Sequence, residues 1–101
     1  MAKKQKTTRF DSAEHLNSAE AISAYMEDAL ESNDPAFIAH ALGTIARAHG
    51  MSRVARKAGL SRESLYKALS PSGNPEFGTV IRVMRALGLK LSATSTRRRA
   101  A

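Results

Sequence analysis

The chain has 101 residues, of which 43% are hydrophobic and 25% charged, and this length fits one small globular domain without room for a second. It contains no cysteine, which excludes disulfides, thiolate zinc sites and thiol nucleophiles and suits a reducing cytoplasm. No apolar run approaches the roughly 18 residues of a membrane span, and no apolar stretch follows the basic first residues, so we expect a soluble, cytoplasmic protein that is not exported.

The net charge of +7 is distributed unevenly along the chain. Residues 1–9 carry +4 and residues 51–101 carry +9, whereas residues 10–50 carry −6 and contain a single basic residue, Arg47. A basic C-terminal half indicates a polyanionic partner, of which nucleic acid is the commonest. A solvated basic face without a partner is the alternative that charge alone leaves open.

The N-terminal third is predicted to begin with a flexible basic arm, residues 1–9, followed by helical structure. Asp11 and Glu14 have the spacing of a capping box for a short helical turn. Ser18 then caps a longer helix. The apolar side chains that share one face of this helix are Ile22, Tyr25, Met26, Ala29 and Leu30.

A second helix is predicted directly after the first. Asp34 suits its N-cap, Pro35 its first helical position, and Gly50 its C-terminal end. Its apolar stripe consists of Phe37, Ile38, Ala41, Leu42, Ile45 and Ala46.

Two short helices that nearly abut are predicted between residues 51 and 70. Ser52 caps the first, Gly59 ends it in a position that tolerates a left-handed backbone, and Ser61 caps the second. The side chains expected to face inward are Val54, Ala55, Ala58, Leu65 and Leu69.

The last helix is predicted to begin with Asn74 as N-cap and Pro75 at its first position, and to end at Gly88. Its inward side chains are Phe77, Val80, Ile81, Met84 and Leu87. Beyond it, residues 89–94 alternate apolar and polar side chains, which predicts a short β-strand of about five or six residues. The partner of this strand is either the chain near Phe10 or the same strand of a second subunit, and residues 95–101 form a disordered basic tail.

The two short helices have the pattern of a helix-turn-helix, HTH, over about residues 51–70. Such a pair needs a small residue where the helices touch and a permissive residue at the corner, and Ala55 and Gly59 fill these places. The same apolar pattern suits any helical hairpin. The polar, basic character of the exposed positions favours DNA binding, because groove readout requires hydrogen-bonding and cationic side chains.

Position on this motif assigns the candidate DNA contacts. We expect the exposed residues of the second helix to contact bases, with Arg62 suited to guanine and Glu63 to a cytosine amino group. For Ser61 and Asn74, a capping role is the alternative to a phosphate contact. The base-contact candidates are Arg62, Glu63, Tyr66 and Lys67, and the phosphate-contact candidates are Arg53, Arg56, Lys57, Ser61 and Asn74.

Residues 50–69 resemble the lambda-repressor-like, Xre/Cro-type helix-turn-helix, with Ala55, Gly59, Leu65, Ala68 and Leu69 in register. More narrowly, residues 10–93 resemble the addiction-module antidote proteins of toxin-antitoxin pairs. The segments that carry this resemblance are 34–35, 42–43, 45–48, 59–71, 73–75 and 86–91, of which Leu-Ser-Arg-Glu-Ser-Leu-Tyr-Lys-Ala-Leu is the most specific. The resemblance implies an all-helical DNA-binding antitoxin that represses its own operon and neutralises a small RelE-like toxin.

The acidic region offers a surface for such a toxin. Residues 10–46 contain seven acidic residues and no Lys or Arg. An RNA-cleaving toxin must be basic to bind RNA, so its inhibitor should present an acidic surface. The candidate toxin contacts are Glu20, Glu27, Asp28 and Glu31, and an ordinary solvated helix face is the alternative.

An enzyme is not expected, because His15, His40 and His49 have no metal-site or triad spacing and no Gly-rich phosphate loop is present. A freestanding Xre/Cro-type repressor without a toxin is the alternative function. We therefore expect an all-α, lambda-repressor-like domain of five helices with a short C-terminal β-strand over residues 10–94. It should need no cofactor or metal, bind double-stranded operator DNA and a basic toxin encoded nearby, and dimerise so that two copies read an operator.

Overall fold

The computed structural model describes residues 18–96, which form five α-helices. The predicted basic arm, the Asp11–Glu14 capping box and the arginines of the C-terminal tail lie outside these residues. The helices are α1 (Ala19–Glu31), α2 (Pro35–His49), α3 (Met51–Ala58), α4 (Arg62–Ala68) and α5 (Phe77–Ala86). The predicted all-helical architecture is thus confirmed for the described part of the chain.

Short polar side chains fix where α1 and α2 begin. The Ser18 hydroxyl accepts a hydrogen bond from the Ala21 amide at 3.1 Å, and the Asp34 carboxylate accepts one from the Ala36 amide, also at 3.1 Å. Each bond satisfies an amide that the first helical turn leaves without a partner. Pro35 follows Asp34 at the start of α2, so both predicted caps are confirmed.

One aliphatic core joins the helices, and α3 lies at its centre, packed against α2, α4 and α5, while α1 packs on α2. Within the described residues, no polar or charged side chain is buried. Their charges therefore lie at the surface, where a partner can reach them. The largest fully buried side chains are Met26, Leu42, Ile45, Val54, Leu65 and Val83.

Two of the predicted helix starts are wrong. Helix α3 begins one residue before Ser52, with Gly50 (φ 101°) as N-cap, and Ser52 lies exposed inside the helix. Helix α5 begins at Phe77 with Glu76 as N-cap, because Asn74 takes a left-handed backbone (φ 46°) in the preceding loop. The loop thus continues two residues further than the Asn-Pro pattern predicts.

Two aromatic residues predicted to face the core are exposed. Phe37 lies in the first turn of α2 with 44% of its surface exposed, and its ring stacks on His40 at a centroid distance of 6.5 Å. Phe77, the first residue of α5, is 70% exposed. Both lie at helix starts, beyond the reach of the core. Val83, which the predicted stripe omitted, is fully buried instead.

The predicted C-terminal strand is wrong for the described residues. The chain after α5 has no regular secondary structure, and Leu89 and Leu91 are half-buried against the core while Lys90 and Ser92 are exposed. The alternation therefore exists, but no second strand within residues 18–96 pairs with it. A strand forms only when another one accepts its backbone hydrogen bonds.

None of the helices in the described part of the chain is long and apolar enough to cross a membrane.

Candidate nucleic-acid interface

Helices α3 and α4 are joined by a tight turn, residues 59–61, whose corner is Gly59. Its backbone is left-handed (φ 75°, ψ 30°), and its amide donates to the Arg56 carbonyl at 3.2 Å. The Leu60 amide donates to the Ala55 carbonyl at 2.8 Å, which closes α3. Glycine adopts this conformation without the steric cost that a Cβ brings. The prediction that Gly59 forms the corner is confirmed.

Ser61 caps α4, as predicted. Its hydroxyl oxygen accepts a hydrogen bond from the Ser64 amide at 2.9 Å, and the hydroxyl donates to the Ser64 Oγ at 2.9 Å. The capping role of Ser61 is thus observed, and a phosphate contact by Ser61 stays a prediction.

Helix α4 is attached to the core from one side only. Leu65 is fully buried and Leu69, at the helix end, is 4% exposed. The four predicted base-contact residues lie away from this attachment, all exposed to solvent. With about 100° of rotation per residue, they span roughly 140° of the helix surface. We call them the α4 face: Arg62, Glu63, Tyr66 and Lys67.

Two side chains of the α4 face contact each other. The Arg62 guanidinium carbon lies 5.4 Å from the centroid of the Tyr66 ring, one helical turn further on. A cation over an aromatic face at an exposed site is stabilised by about 0.5–1 kcal/mol. The contact restricts the guanidinium to part of its range and holds it on the exposed side of α4.

The α4 face combines the groups that read base edges in a major groove. A guanidinium can donate two parallel hydrogen bonds to guanine, and a carboxylate can accept from the amino group of cytosine. An ammonium binds either guanine or a phosphate. The presence of both charge signs on one small face suits sequence readout better than attraction to phosphates alone.

The predicted phosphate contacts of α3 are all exposed, but Lys57 lines a cleft that Arg53 and Arg56 do not line. Lys57 lines a cleft of about 580 Å³ between the ends of α2, α3 and α5, together with His49, Arg82 and Arg85. The sequence prediction missed Arg82 and Arg85, although two arginines three residues apart on a polar helix face were a visible signal. The fold makes a second basic surface from residues far apart in the chain.

Asn74 does not lie at a helix N-terminus, so the capping role predicted for it is wrong. It occupies an exposed loop position two residues before Glu76, the N-cap of α5, which makes no side-chain capping bond. A phosphate contact by Asn74 stays a prediction, now without the support of free helical amides.

The acidic residues predicted to contact a toxin are all exposed on α1. Glu27, Asp28 and Glu31 line a groove between α1 and residues 89–96, whereas Glu20, in the first turn of α1, does not.

The Nδ1 atom of His49 lies 3.3 Å from the Ile45 carbonyl oxygen. Within residues 18–96, no group of three or more acidic or histidine side chains is placed to hold a metal ion.

Comparison with known proteins decides the family. A family model described as "probable addiction module antidote protein" matches residues 6–95. The chain belongs to this family. A protein of Haemophilus influenzae, titled "Uncharacterized protein", is 52% identical over 88 residues, which are 87% of this antidote protein and 91% of that one. No solved structure matches this antidote protein. Membership of an antidote family implies a toxin as partner.

Proposed function

We propose that this antidote protein is a DNA-binding antitoxin that neutralises a small, RelE-like toxin and represses its own operon. It acts by binding, without catalysis or a cofactor. The observation that carries the DNA-binding part is the α4 face: four polar side chains exposed together on a helix that Leu65 fixes to the core from the other side. The toxin-binding part is supported by the family.

The α3–α4 pair suits a helix-turn-helix of the lambda-repressor-like kind. Helix α3 has eight residues and α4 has seven, joined by a three-residue turn with glycine at the corner. Small side chains, Ala55 and Ala58, are buried on α3, which allows close approach of the neighbouring helices. We assign α4 to the major groove and the exposed Arg53 and Arg56 of α3 to phosphates.

Repression requires more contact than one copy provides. A single short recognition helix reads about one half-site, so operator affinity requires two copies placed about one helical turn of DNA apart. We therefore infer that the antitoxin binds its operator as a homodimer. The DNA it recognises should be a pseudo-palindrome upstream of its own gene.

The toxin-binding surface is assigned to α1, which carries four acidic residues and no basic one. A toxin that cleaves RNA needs a basic surface, so α1 is complementary to it in charge. The α4 face lies on another helix, so the two activities are assigned to different surfaces of one small domain.

The test is binding of the purified protein to the DNA upstream of its gene and to the protein encoded by the adjacent gene. Fluorescence anisotropy should show at least about 10³-fold tighter binding to upstream DNA than to a scrambled duplex at physiological salt. Pull-down should recover the neighbouring protein. Specific DNA binding without the neighbour would indicate a freestanding repressor. Equal affinity for both duplexes would contradict specific DNA recognition.

A further inference from the structure

A groove of about 900 Å³ runs between α1 and residues 89–96, which follow α5. Its apolar lining comes from both walls and from the end of α5: Met26, Leu30, Met84, Leu89 and Leu91. The two methionines are almost fully buried, whereas the three leucines are half-buried and present apolar surface to the groove. Apolar surface at the base of an open groove is suited to anchoring a partner side chain.

The rim of this groove is acidic on the α1 side. Glu27, Asp28 and Glu31 line it, and they lie on a helix that has no basic residue. Lys90 is the one basic residue that lines the groove within the described part of the chain, so three negative charges face one positive charge. The field in the groove therefore favours a partner rich in Lys and Arg.

The opposite wall offers backbone groups as well as side chains. Residues 90–93 have no regular secondary structure and make no backbone-to-backbone hydrogen bond within residues 18–96. The amides and carbonyls of such a segment can pair with an incoming chain, as in strand addition. The groove thus has an apolar base, an acidic wall and a wall of unpaired backbone.

We propose that this groove is the toxin-docking site, occupied by a segment of the toxin in which Lys or Arg flanks an apolar anchor. The inference rests on the proposed antitoxin function and adds the place and the chemistry of recognition. The residues that line the groove come from α1, the turn after it, α5 and residues 89–96. None belongs to α3 or α4, so a toxin held here leaves the α4 face open.

Charge-removing variants test the acidic wall. The triple variant Glu27→Gln, Asp28→Asn, Glu31→Gln removes the groove carboxylates, and Glu76→Gln, which removes an exposed carboxylate outside α1 and outside the groove, is the control. The probe is the protein encoded by the adjacent gene, with association followed by stopped-flow fluorescence at 20 and 200 mM salt. We expect the triple variant to associate about tenfold or more slowly at low salt, and the control to stay within about twofold of wild type.

Apolar variants test the base of the groove. Leu91→Asp should raise the Kd for the toxin about tenfold or more, whereas Phe77→Asp, which changes an exposed apolar residue outside the groove, should leave it within about twofold of wild type. Thermal unfolding and operator binding of each variant report whether the fold is retained.

Cysteine footprinting tests the site without disturbing its base. Because the chain has no cysteine, Ser92→Cys places a single thiol in the groove, and Ser52→Cys places one on the exposed surface of α3. Saturating toxin should slow maleimide modification at position 92 about tenfold or more and leave position 52 unchanged. If toxin binds but position 92 stays as reactive as in the free protein, the groove assignment is overturned and the antitoxin function stands. If the adjacent protein does not bind the wild type, both are overturned.

Discussion

Replacing Arg62 by alanine separates base recognition from general attraction to DNA. A bidentate arginine–guanine contact is worth about 1–3 kcal/mol, which corresponds to a roughly five- to 150-fold loss of operator affinity. In the free protein, Arg62 contributes the stacking contact on Tyr66, about 0.5–1 kcal/mol, and is otherwise exposed. The fold should therefore survive Arg62→Ala, and the affinity loss should reflect the missing DNA contact.

The matched control is Arg56→Ala, because Arg56 is also exposed but lies on α3, outside the α4 face. If Arg56 contacts a phosphate, its loss should weaken operator and random DNA by the same factor and reduce the slope of log K against log salt by about one. Competition anisotropy at 50 and 200 mM salt measures both quantities for both variants.

Tyr66→Leu measures the contribution of the stacking contact that positions Arg62. Leucine retains apolar bulk but neither the aromatic face nor the hydroxyl, so we expect operator affinity to fall at least about two- to fivefold, the value of the stacking contact, and further if Tyr66 also contacts a base. If Arg62→Ala weakens operator and random DNA equally, the α4 face does not read bases and α4 does not act as the recognition helix.

Four further variants test the α3–α4 pair and the loop after it by unfolding measurements. Gly59→Val should lower the free energy of unfolding by about 1–3 kcal/mol because φ at this position is +75°, although an added Cβ would meet no atom within 4 Å. Gly59→Asn should lower it less, as measured by the same thermal melts. Gly73→Ala should lower the free energy of unfolding in urea by about 1–3 kcal/mol, because the added Cβ would collide with the Lys67 and Ala68 carbonyls. An unchanged urea unfolding midpoint would contradict this reason. Leu65→Ala should cost about 2–5 kcal/mol in urea, because the side chain is fully buried; a cost under about 1 kcal/mol would mean that α4 is not held by the core.

The elements that sequence predicted well are those set by local chemistry. Ser18, Asp34 and Ser61 cap their helices because a short oxygen-bearing side chain can reach an amide two or three residues ahead, whatever the rest of the fold does. Gly59 likewise ends α3 because the left-handed turn favours glycine locally. Helical periodicity then predicts the exposed positions of α4 from its two inward leucines, Leu65 and Leu69.

The failures lie where distant parts of the chain meet. Asn74 and Pro75 have a helix-start pattern, yet the loop before α5 is held by the close packing of Gly73 on the end of α4, and the helix begins later. The groove beside residues 89–96 and the clustering of Lys57 with Arg82 and Arg85 depend on how helices pack. Periodicity within one helix carries no information about these arrangements.

The composition of the complex formed by this chain, its upstream DNA and the adjacent gene's product shows whether the antitoxin binds both partners at once. Size-exclusion chromatography with multi-angle light scattering gives the mass of each species in the mixture. Because the α4 face and the groove between α1 and residues 89–96 share no residue, we predict one species that contains DNA, antitoxin and toxin together. Toxin that displaces the DNA, or a peak that lacks either partner at saturating concentrations, would contradict it.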